Sequence, residues 1–374
     1  MPMQTKKLRR SRKAKIIKTA EEYGNLYKER YVIYNEFTDK LRNLFLELLH
    51  QNNIEIAQIE SRVKSVESLV EKIHRDRDKA YRNPLEDITD LVGIRIITYY
   101  TEDVDKIGDL IRQEFKVDFE NSVDKADTID PDRFGYLSVH YVISLSSPRK
   151  ELTEWRTFAN IKAEVQVRTV LQHAWAAIDH KLRYKTAREV PKNLRRQLFR
   201  LSALLELADE EFSTLRKRTD EVEQRYTMDV KKGELDIEVD RQSLEVYFAK
   251  TQLHLKWTKI AEQAGCQIRR GETIGDIAIM VQVVQMLGIK TIAEIDTILK
   301  DATKWGKDVL TEICKLSSDK GFVPIAIPYD IINFLLLWAM RKSISKEEIQ
   351  SLRYVRELKD AFVKLLKDEG ATGR

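Results

Sequence analysis

Cysteine is scarce in this chain, whose 374 residues include only Cys266 and Cys314. Two cysteines are too few for a disulfide framework, and they exclude a cysteine-rich zinc site. Long apolar runs are missing too, because the most apolar stretch, residues 331–340, is far shorter than the ~18 residues that span a bilayer. The first residues also lack the apolar segment of a secretory signal. These absences predict a cytoplasmic protein without a membrane-spanning segment.

Charge is abundant but nearly balanced, since 65 Lys and Arg residues oppose 60 Asp and Glu residues and leave a net charge of +5. With 43% hydrophobic residues the composition is typical of a globular protein, and the length predicts two or three domains. Residues 1–20 contain eight Lys and Arg residues and no acid. Such a basic arm is typical of a solvated disordered segment; the alternatives are a contact with nucleic acid or, as a distant third, with a membrane surface.

Hydrophobic periodicity predicts alternating helices and strands over residues 21–230. The predicted helices are 21–53, 65–82, 102–115, 169–184 and 192–226. The predicted strands are 54–64, 91–100, 116–123, 136–144 and 160–168, and the run 91–100 is expected to be buried on both faces. Helices that separate strands predict a mixed β-sheet flanked by helices. Residues 229–240 are expected to be a linker, and 241–374 are predicted to be helical. The fold class is therefore α+β, with an N-terminal arm (1–20), a sheet domain (21–230) and an all-helical C-terminal domain (231–374).

Two clusters of polar residues fall at the predicted edges of the sheet. Arg62 and Lys64 share a strand face, and Ser68 and Lys72 share a face of the following helix. A strand that leads into a helix N-terminus is well placed to hold phosphate, although a solvated basic helix would give the same pattern. Further on, Asp90 stands at the mouth of the apolar strand that contains Arg95. That carboxylate suits Mg²⁺ and the guanidinium suits a flat base or a phosphate, while an Asp–Arg ion pair explains both residues equally well.

Two further clusters lie on the later strands. Gly135 permits a turn before Tyr136, which offers a stacking surface, and His140 follows on the same side of the strand. Glu164, Gln166 and Arg168 alternate onto one face of the next strand, so a second carboxylate could complete a metal site or act as a base. Each cluster alone is weak, because any half-solvated strand alternates in this way.

Together these segments resemble the synthetase domain of the RelA/SpoT family of (p)ppGpp synthetases, over residues 55–190 and in the family's order and spacing. The matching segments are RVKSVESLVEK (62–72), DLVGIRI (90–96), GYLSVH (135–140), EVQVRT (164–169) and HAWAAIDHKLRYK (173–185). The resemblance implies a nucleotidyltransferase-like fold. It also implies a GTP diphosphokinase-like enzyme that transfers the β,γ-pyrophosphate of ATP to the 3′-hydroxyl of GDP or GTP, with Mg²⁺ as cofactor.

The resemblance also implies roles for individual residues on the ATP side. Arg62 and Arg95 would sandwich the adenine, while Lys64, Ser68 and Lys72 would hold the ATP phosphates. Such a site agrees with the physical requirement of phosphoryl-type transfer, which is positioning and charge neutralisation.

The remaining implied roles concern the metal and the acceptor. Asp90 and Glu164 would be the catalytic pair that binds Mg²⁺, and Glu164 could also deprotonate the attacking hydroxyl. Tyr136 would stack on the acceptor base, with His140 and Gln166 beside it. A synthetase of this kind has ATP as donor and GDP or GTP as acceptor.

The acceptor loop departs from the family pattern at two positions. Asp132 and Leu137 stand where the family commonly has a Lys and an Arg that would contact acceptor phosphates. The loss of these cations, together with the basic arm, leaves open a second function: a toxic small synthetase that pyrophosphorylates the 3′ end of tRNA. A nucleotide-binding protein without activity is the third alternative. We expect no (p)ppGpp hydrolysis, because the stretch before the synthetase region resembles no hydrolase.

Two other features have structural interpretations. His173 and His180 share a helix face, and helix packing explains them better than a zinc site, since no cysteine lies nearby. Residues 241–374 contain no chemical motif, and Trp257, Trp305 and Trp338 are expected to be packing residues. By elimination the C-terminal domain is expected to mediate interaction, homo-oligomer formation or autoinhibition.

Overall fold

The computed structural model describes residues 19–76, 81–124, 138–185, 192–268, 274–319, 325–326 and 328–341. The described residues form two compact units that divide between Arg216 and Lys217. This division and the predicted domain boundary after residue 230 both fall within one long helix, Lys192–Lys232. Most of the predicted basic arm, residues 1–18, lies outside the described residues.

The first unit is built around a mixed sheet, as the sequence predicts. Its strands are β1 (Gln58–Val63), β2 (Val92–Thr98), β3 (Phe115–Val117), β4 (Val123–Asp124), β5 (Val139–Leu145) and β6 (Ala163–Thr169). The strand order is β1-β2-β6-β5-β3, and β4 pairs with β5. β2 and β6 run parallel, whereas the other described pairs of this sheet are antiparallel. The strand predicted over 116–123 is two short strands, because a turn at Asp118–Asn121 interrupts it.

Helices surround this sheet. They are α1 (Ala20–Glu29), α2 (Tyr31–Gln51), α3 (Val66–Arg75), α4 (Pro84–Asp87), α5 (Thr101–Glu114), α6 (Ser147–Glu151), α7 (Val170–Lys185) and α8 (Lys192–Lys232), with a 3-10 turn at Arg156–Phe158. The helix predicted over 21–53 is two helices that meet at Arg30. α8 is longer than predicted and ends only before Gly233, whose φ of +79° ends a helix readily.

The two faces of the sheet differ in burial, and the less buried face leaves room for a site. Alternate residues of β2 and β6 are buried in the core with α2 and α5; they are Val92, Ile94, Ile96, Ala163, Val165 and Val167. The residues between them, including Gly93, Arg95, Glu164 and Gln166, are only half-buried. The prediction that residues 91–100 are buried on both faces is therefore wrong, because Arg95 and Gly93 face a cavity rather than a second apolar layer.

The described part of the second unit is helical apart from one short parallel pair, β7 (Gln267–Ile268) with β8 (Ile325–Ala326), and an isolated bridge. Its other helices are α9 (Arg241–Thr251), α10 (Leu253–Gln263), α11 (Ile274–Met286), α12 (Ile292–Ala302), α13 (Gly306–Asp319) and α14 (Pro328–Ala339). α14 contacts α10, α11 and α12, and its apolar residues 331–338 are buried, as their sequence predicts. Trp257 and Trp338 are also buried in this core.

Two further features concern the cysteines and the length of the helices. Cys266 and Cys314 form a disulfide bond within the second unit. None of the described helices is long and apolar enough to cross a membrane.

Candidate active site

The register of the sheet brings four distant residues into one row. Glu60 on β1 pairs across to Arg95 on β2, and Arg95 pairs across to Gln166 on β6. Gln166 in turn pairs across to His140 on β5. Residues that are opposite each other on neighbouring strands point to the same face, so these side chains meet.

These side chains form a continuous hydrogen-bonded chain. Arg95 donates from Nη1 to Glu60 Oε2 at 2.6 Å and from Nε to Gln166 Oε1 at 3.3 Å. Gln166 Nε2 donates to Glu164 Oε1 at 2.9 Å, and His140 Nδ1 lies 2.8 Å from the same oxygen. The chain therefore links residues predicted for ATP with residues predicted for the acceptor.

A second group of charges lies where β1 leads into α3. The carboxylate of Asp90 is held between two ammonium groups, with Lys64 Nζ 2.9 Å from Oδ2 and Lys72 Nζ 2.9 Å from Oδ1. Burial of Asp90 opposes its ionisation, but the hydrogen bonds from Lys72 and Lys64 outweigh burial and lower its pKa. Asp90 is therefore a carboxylate at neutral pH, and the two lysines are kept close together despite their like charges.

Local structure fixes the position of these lysines. The side chain of Ser65 accepts a hydrogen bond from the Ser68 backbone N–H at 3.2 Å and so caps the N-terminus of α3. Tyr27 donates from its hydroxyl to the Lys64 carbonyl at 2.9 Å. Lys72 lies one turn beyond Ser68, so α3 directs it back towards its own N-terminus. Helix N-termini attract phosphate through their free N–H groups.

A cavity of about 190 Å³ lies between these two groups. Its lining residues come from β1, β2, β6 and the segment before β2, and they are Glu60, Ser61, Arg62, Asp90, Gly93, Ile94, Arg95, Glu164 and Gln166. Five residues predicted from the sequence, Arg62, Asp90, Arg95, Glu164 and Gln166, thus line one cavity.

The other predicted residues lie around this cavity or outside the described residues. Lys64 and Lys72 contact Asp90, and His140 contacts Glu164. These three residues do not line the cavity themselves, but each contacts a residue that does. Ser68 is exposed, and its hydroxyl lies 3.1 Å from that of Ser65. Tyr136, like the rest of the acceptor loop, lies outside the described residues.

Two of the three carboxyl groups that line the cavity, those of Asp90 and Glu164, have lowered pKa values and are ionised at neutral pH. The hydrogen bond with His140 lowers the pKa of Glu164 to about 2, and the bond from Gln166 acts in the same direction against burial. No cluster of three or more His, Cys, Asp or Glu side chains that could hold a metal occurs among the described residues. Asp90 and Glu164 offer carboxylate oxygens of the kind that Mg²⁺ prefers, and in this structure those oxygens contact Lys64, Lys72 and His140.

Three residues near the site were not predicted. Glu60 holds Arg95, and its position two residues before Arg62 could have placed it on the same strand face. Gly93 lies between Arg62 and Glu164 in the sheet register. Ser138 Oγ lies 2.7 Å from His140 Nε2, so a Ser–His–Glu arrangement is present on β5 and β6. No sequence signal separates these residues from ordinary alternation.

Two basic residues border this row from the end of β6. Arg168 shares the strand face of Glu164 and Gln166 but is 93% buried, and burial, together with nearby Arg95, lowers its pKa to about 10. His173 on α7 is half-buried, and burial lowers its pKa, with Arg168 acting in the same direction. His180 on the same helix is exposed. The helix-packing interpretation of His173 and His180 stays a prediction.

Comparisons with known proteins find similarity over the region that contains this site. A family model described as a region found in RelA / SpoT proteins matches residues 61–189. Two curated relatives come from Bacillus subtilis (strain 168). GTP pyrophosphokinase YwaC is 29% identical over 201 residues, which cover 52% of this chain and 92% of that protein. GTP pyrophosphokinase YjbM is 28% identical over 179 residues, which cover 47% of this chain and 79% of that protein.

A solved structure is also similar to part of this chain. The crystal structure of small alarmone synthetase 2 from Bacillus subtilis is 29% identical and covers 51% of this chain and 98% of its own, with a TM-score of 0.43. The residues that match the family model include the strands and helices that carry Arg62, Asp90, His140 and Glu164. The match to the RelA / SpoT family model thus falls entirely within the first of the two units.

Proposed function

We propose that this chain is an ATP-dependent pyrophosphokinase that transfers the β,γ-pyrophosphate of ATP to the 3′-hydroxyl of GDP or GTP and so makes (p)ppGpp. One observation carries the proposal: the ionised pair Asp90 and Glu164 and the arginines Arg62 and Arg95 line one cavity, and two lysines reach the same Asp90. The relatives named GTP pyrophosphokinase support the acceptor class.

The reaction has a simple balance of atoms. The acceptor 3′-oxygen forms a bond to the β-phosphorus of ATP, and the bond from that phosphorus to the oxygen bridging the α- and β-phosphates breaks. AMP leaves with the bridging oxygen, and the hydroxyl proton passes to a base. Because little covalent chemistry is required of the protein, placement of the two substrates and neutralisation of phosphate charge account for most of the catalysis.

The residues of the site divide this work. Lys64 and Lys72 exchange their contact with Asp90 for contacts with the ATP phosphates, while Arg62 and Arg95 hold the adenine between their planar groups. Mg²⁺, held by Asp90 and Glu164, supplies charge neutralisation at the phosphates when it is bound. The lowered pKa of Glu164 keeps its carboxylate ionised, which both proposed roles require: ligation of a metal and acceptance of the hydroxyl proton.

The acceptor side rests on fewer described residues. His140 and Gln166 flank Glu164 and are the described residues placed to contact an acceptor nucleotide. Tyr136 is proposed to stack on its base. Gln166 and His140 both bond to Glu164 Oε1. The proposed acceptor residues and the proposed metal ligand Glu164 therefore belong to one hydrogen-bonded group.

A second acceptor, the 3′ end of tRNA, is favoured by one feature of the sequence. Asp132 and Leu137 remove two cations that a guanine nucleotide with a 5′ polyphosphate would contact, whereas the 3′ end of tRNA carries no such polyphosphate. A carboxylate close to a polyphosphate costs about 1 kcal/mol or more.

One assay separates these acceptors. Purified protein with Mg²⁺ and γ-labelled ATP is offered GDP, GTP, ATP or deacylated tRNA separately. We expect label in a guanine nucleotide together with released AMP. Label on tRNA alone would select the second acceptor, and absence of AMP with every acceptor would contradict both. Asp90→Asn with Glu164→Gln is the inactive control. Glu114→Gln, which breaks a half-buried ion pair with Arg149 outside the cavity, is the matched active control.

The helical second unit is proposed to restrain the synthetase unit or to mediate homo-oligomer formation. A chain that ends at residue 235 should have a higher turnover if the unit restrains activity. An unchanged turnover together with a smaller assembly in sedimentation would assign it to oligomer formation instead.

A further inference from the structure

A second cleft, of about 760 Å³, opens on the synthetase unit and shares no lining residue with the cavity of the candidate active site. Its walls come from α1, the start of α2, the segment around α4 and the loop before β6. The cleft is lined by Tyr23, Leu26, Arg30, Ile33, Tyr34, Arg82, Asn83, Leu85, Glu86, Arg156, Thr157, Ala159, Asn160 and Ile161. Neither the sequence motifs nor the proposed reaction uses any of these residues.

Two tyrosines of this cleft are buried without hydrogen bonds. Tyr23 is 6% exposed and Tyr34 is 5% exposed, and neither hydroxyl has a hydrogen-bond partner among the residues that the structure describes. Burial raises the pKa of Tyr34, while the charge of Arg30 opposes this rise and that of Glu86 adds to it. Neither hydroxyl oxygen is among the buried polar atoms that lack a partner, so both hydroxyls stay accessible and can donate to a ligand.

The edge of the cleft is cationic. Arg30, Arg82 and Arg156 are exposed, and none of them contacts a carboxylate within the described ranges. By contrast, Arg95 and Arg149 each pair with a glutamate. Glu86 is the one acid among the lining residues, so the lining carries two net positive charges. Guanidinium groups pair best with phosphate or carboxylate, and three of them converge on one cleft.

The position of one of these arginines is fixed by its backbone. The N–H groups of Arg82 and Asn83 donate to Asp87 Oδ2 at 2.7 Å and 2.9 Å. This capping interaction holds the turn at the start of α4, so the turn that carries Arg82 is ordered. Apolar side chains of Leu26, Leu85 and two isoleucines complete the walls.

We infer that this cleft binds a phosphate-bearing small molecule, with its phosphates at the three arginines and an apolar or aromatic part between the leucine and isoleucine side chains. The charge of the lining selects an anion, the fork geometry of guanidinium favours phosphate, and the unpartnered tyrosines supply hydroxyl donors. The inference does not depend on the proposed reaction, because the two cavities share no residue.

The experiment is a titration by isothermal calorimetry with two probes, inorganic tripolyphosphate and phenyl phosphate. The full chain carries Lys64→Gln and Lys72→Gln, which remove the phosphate-binding lysines of the candidate active site. We expect this protein to bind both probes, with an affinity that falls as salt rises. Adding Arg30→Gln and Arg156→Gln should weaken binding by about ten-fold or more, because two charge-assisted contacts are lost.

Two controls separate the cleft from general charge. Arg218→Gln removes an exposed arginine elsewhere and should leave the affinity unchanged. Glu86→Gln removes the one acid of the cleft and should tighten binding about two-fold to five-fold, which loss of folding cannot imitate. Thermal unfolding of each variant is measured alongside. Equal affinities in the Arg30/Arg156 and Arg218 variants would overturn the inference. So would binding of RNA oligonucleotides through these arginines when neither small probe binds.

Discussion

Gly93 faces the side chain of Arg62 on the neighbouring strand, and a Cβ at Gly93 would lie 3.2 Å from Cγ and 3.3 Å from Nε of Arg62. Both residues line the cavity of the candidate active site. The absence of a side chain at Gly93 therefore lets Arg62 lie against β2. A guanidinium placed in this way can form one wall of a slot for a flat ring. The side chain of Arg95, which lies on β2 like Gly93, can form the other wall.

Substitution of Gly93 should therefore affect the ATP side of the reaction. Gly93→Ala forces Arg62 to move by a few tenths of an ångström, and we expect a KM for ATP raised about three-fold. Gly93→Val fills the slot, and we expect a loss of about 30-fold or more in kcat/KM for ATP, since small displacements of positioning groups are costly. Steady-state kinetics with each substrate varied in turn would measure both effects.

The acceptor provides the control for this prediction. Its KM should change by less than about two-fold in Gly93→Ala, because the proposed acceptor residues His140 and Gln166 lie on β5 and β6. A KM for ATP that stays at the wild-type value in Gly93→Val would show that the adenine does not lie beside Arg62.

Loss of either proposed metal ligand, Asp90 or Glu164, should abolish turnover without abolishing ATP binding. Asp90→Asn and Glu164→Gln each remove a proposed metal ligand, and we expect kcat to fall by about 100-fold or more. In the absence of Mg²⁺, ATP should bind Asp90→Asn at least as tightly as wild type, because Lys64 and Lys72 are released from their ion pairs. Turnover measured as a function of Mg²⁺ concentration tests the loss of kcat. ATP binding measured in EDTA tests the retained affinity. Near-normal turnover in either variant would make the metal assignment wrong.

How far the sequence predicts this molecule differs between the sheet and the site. Periodicity predicts the main strands and helices because burial of one face imposes a repeat of two or 3.6 residues. It fails at Arg30 and at residues 118–122, where one residue or one turn interrupts an otherwise continuous pattern. The expectation of two buried faces for residues 91–100 fails because an apolar run does not reveal which neighbour faces Gly93 and Arg95.

The site residues show a similar limit. Arg62, Asp90 and Glu164 are predicted from spacing and from the resemblance, and the structure brings them to one cavity. Glu60 could not be singled out, because its importance comes from pairing with Arg95, 35 residues away. The cleft at Tyr23 and Arg30 has no sequence signal, since the residues that form it come from three separate stretches of the chain.

Glu60 is expected to position Arg95. Its carboxylate lies 2.6 Å from Arg95 Nη1, and both side chains are partly exposed, so the pair contributes about 1 kcal/mol to holding the guanidinium. Glu60→Gln should raise the KM for ATP by about three-fold to five-fold and leave kcat nearly unchanged. A double-mutant cycle with Arg95→Gln measures the coupling. Fully additive effects of the two substitutions would show that Glu60 does not act through Arg95.

Asp209 should make the stability of the protein depend on pH. Asp209 on α8 is 3% exposed and accepts a hydrogen bond from Thr169 Oγ1 at 2.6 Å, and burial raises its pKa to about 7. In the unfolded chain this carboxyl has a pKa of about 3.9. Because the folded pKa is the higher one, the stabilising contribution of the protonated form is complete below the unfolded pKa. It is lost as pH rises through 7. Between pH 6 and pH 8 the loss is about 1.4 kcal/mol.

Asp209→Asn tests this contribution because asparagine keeps an acceptor for Thr169 but cannot ionise. Urea unfolding followed by circular dichroism at pH 6, 7 and 8 should show wild-type stability falling with pH, while the variant stays nearly constant over the same interval. Glu210→Gln, at the exposed neighbouring position of the same helix, is the matched control and should follow the wild type. Parallel curves for Asp209→Asn and wild type would mean that Asp209 is already ionised at pH 6, and that α8 tolerates a buried carboxylate beside β6.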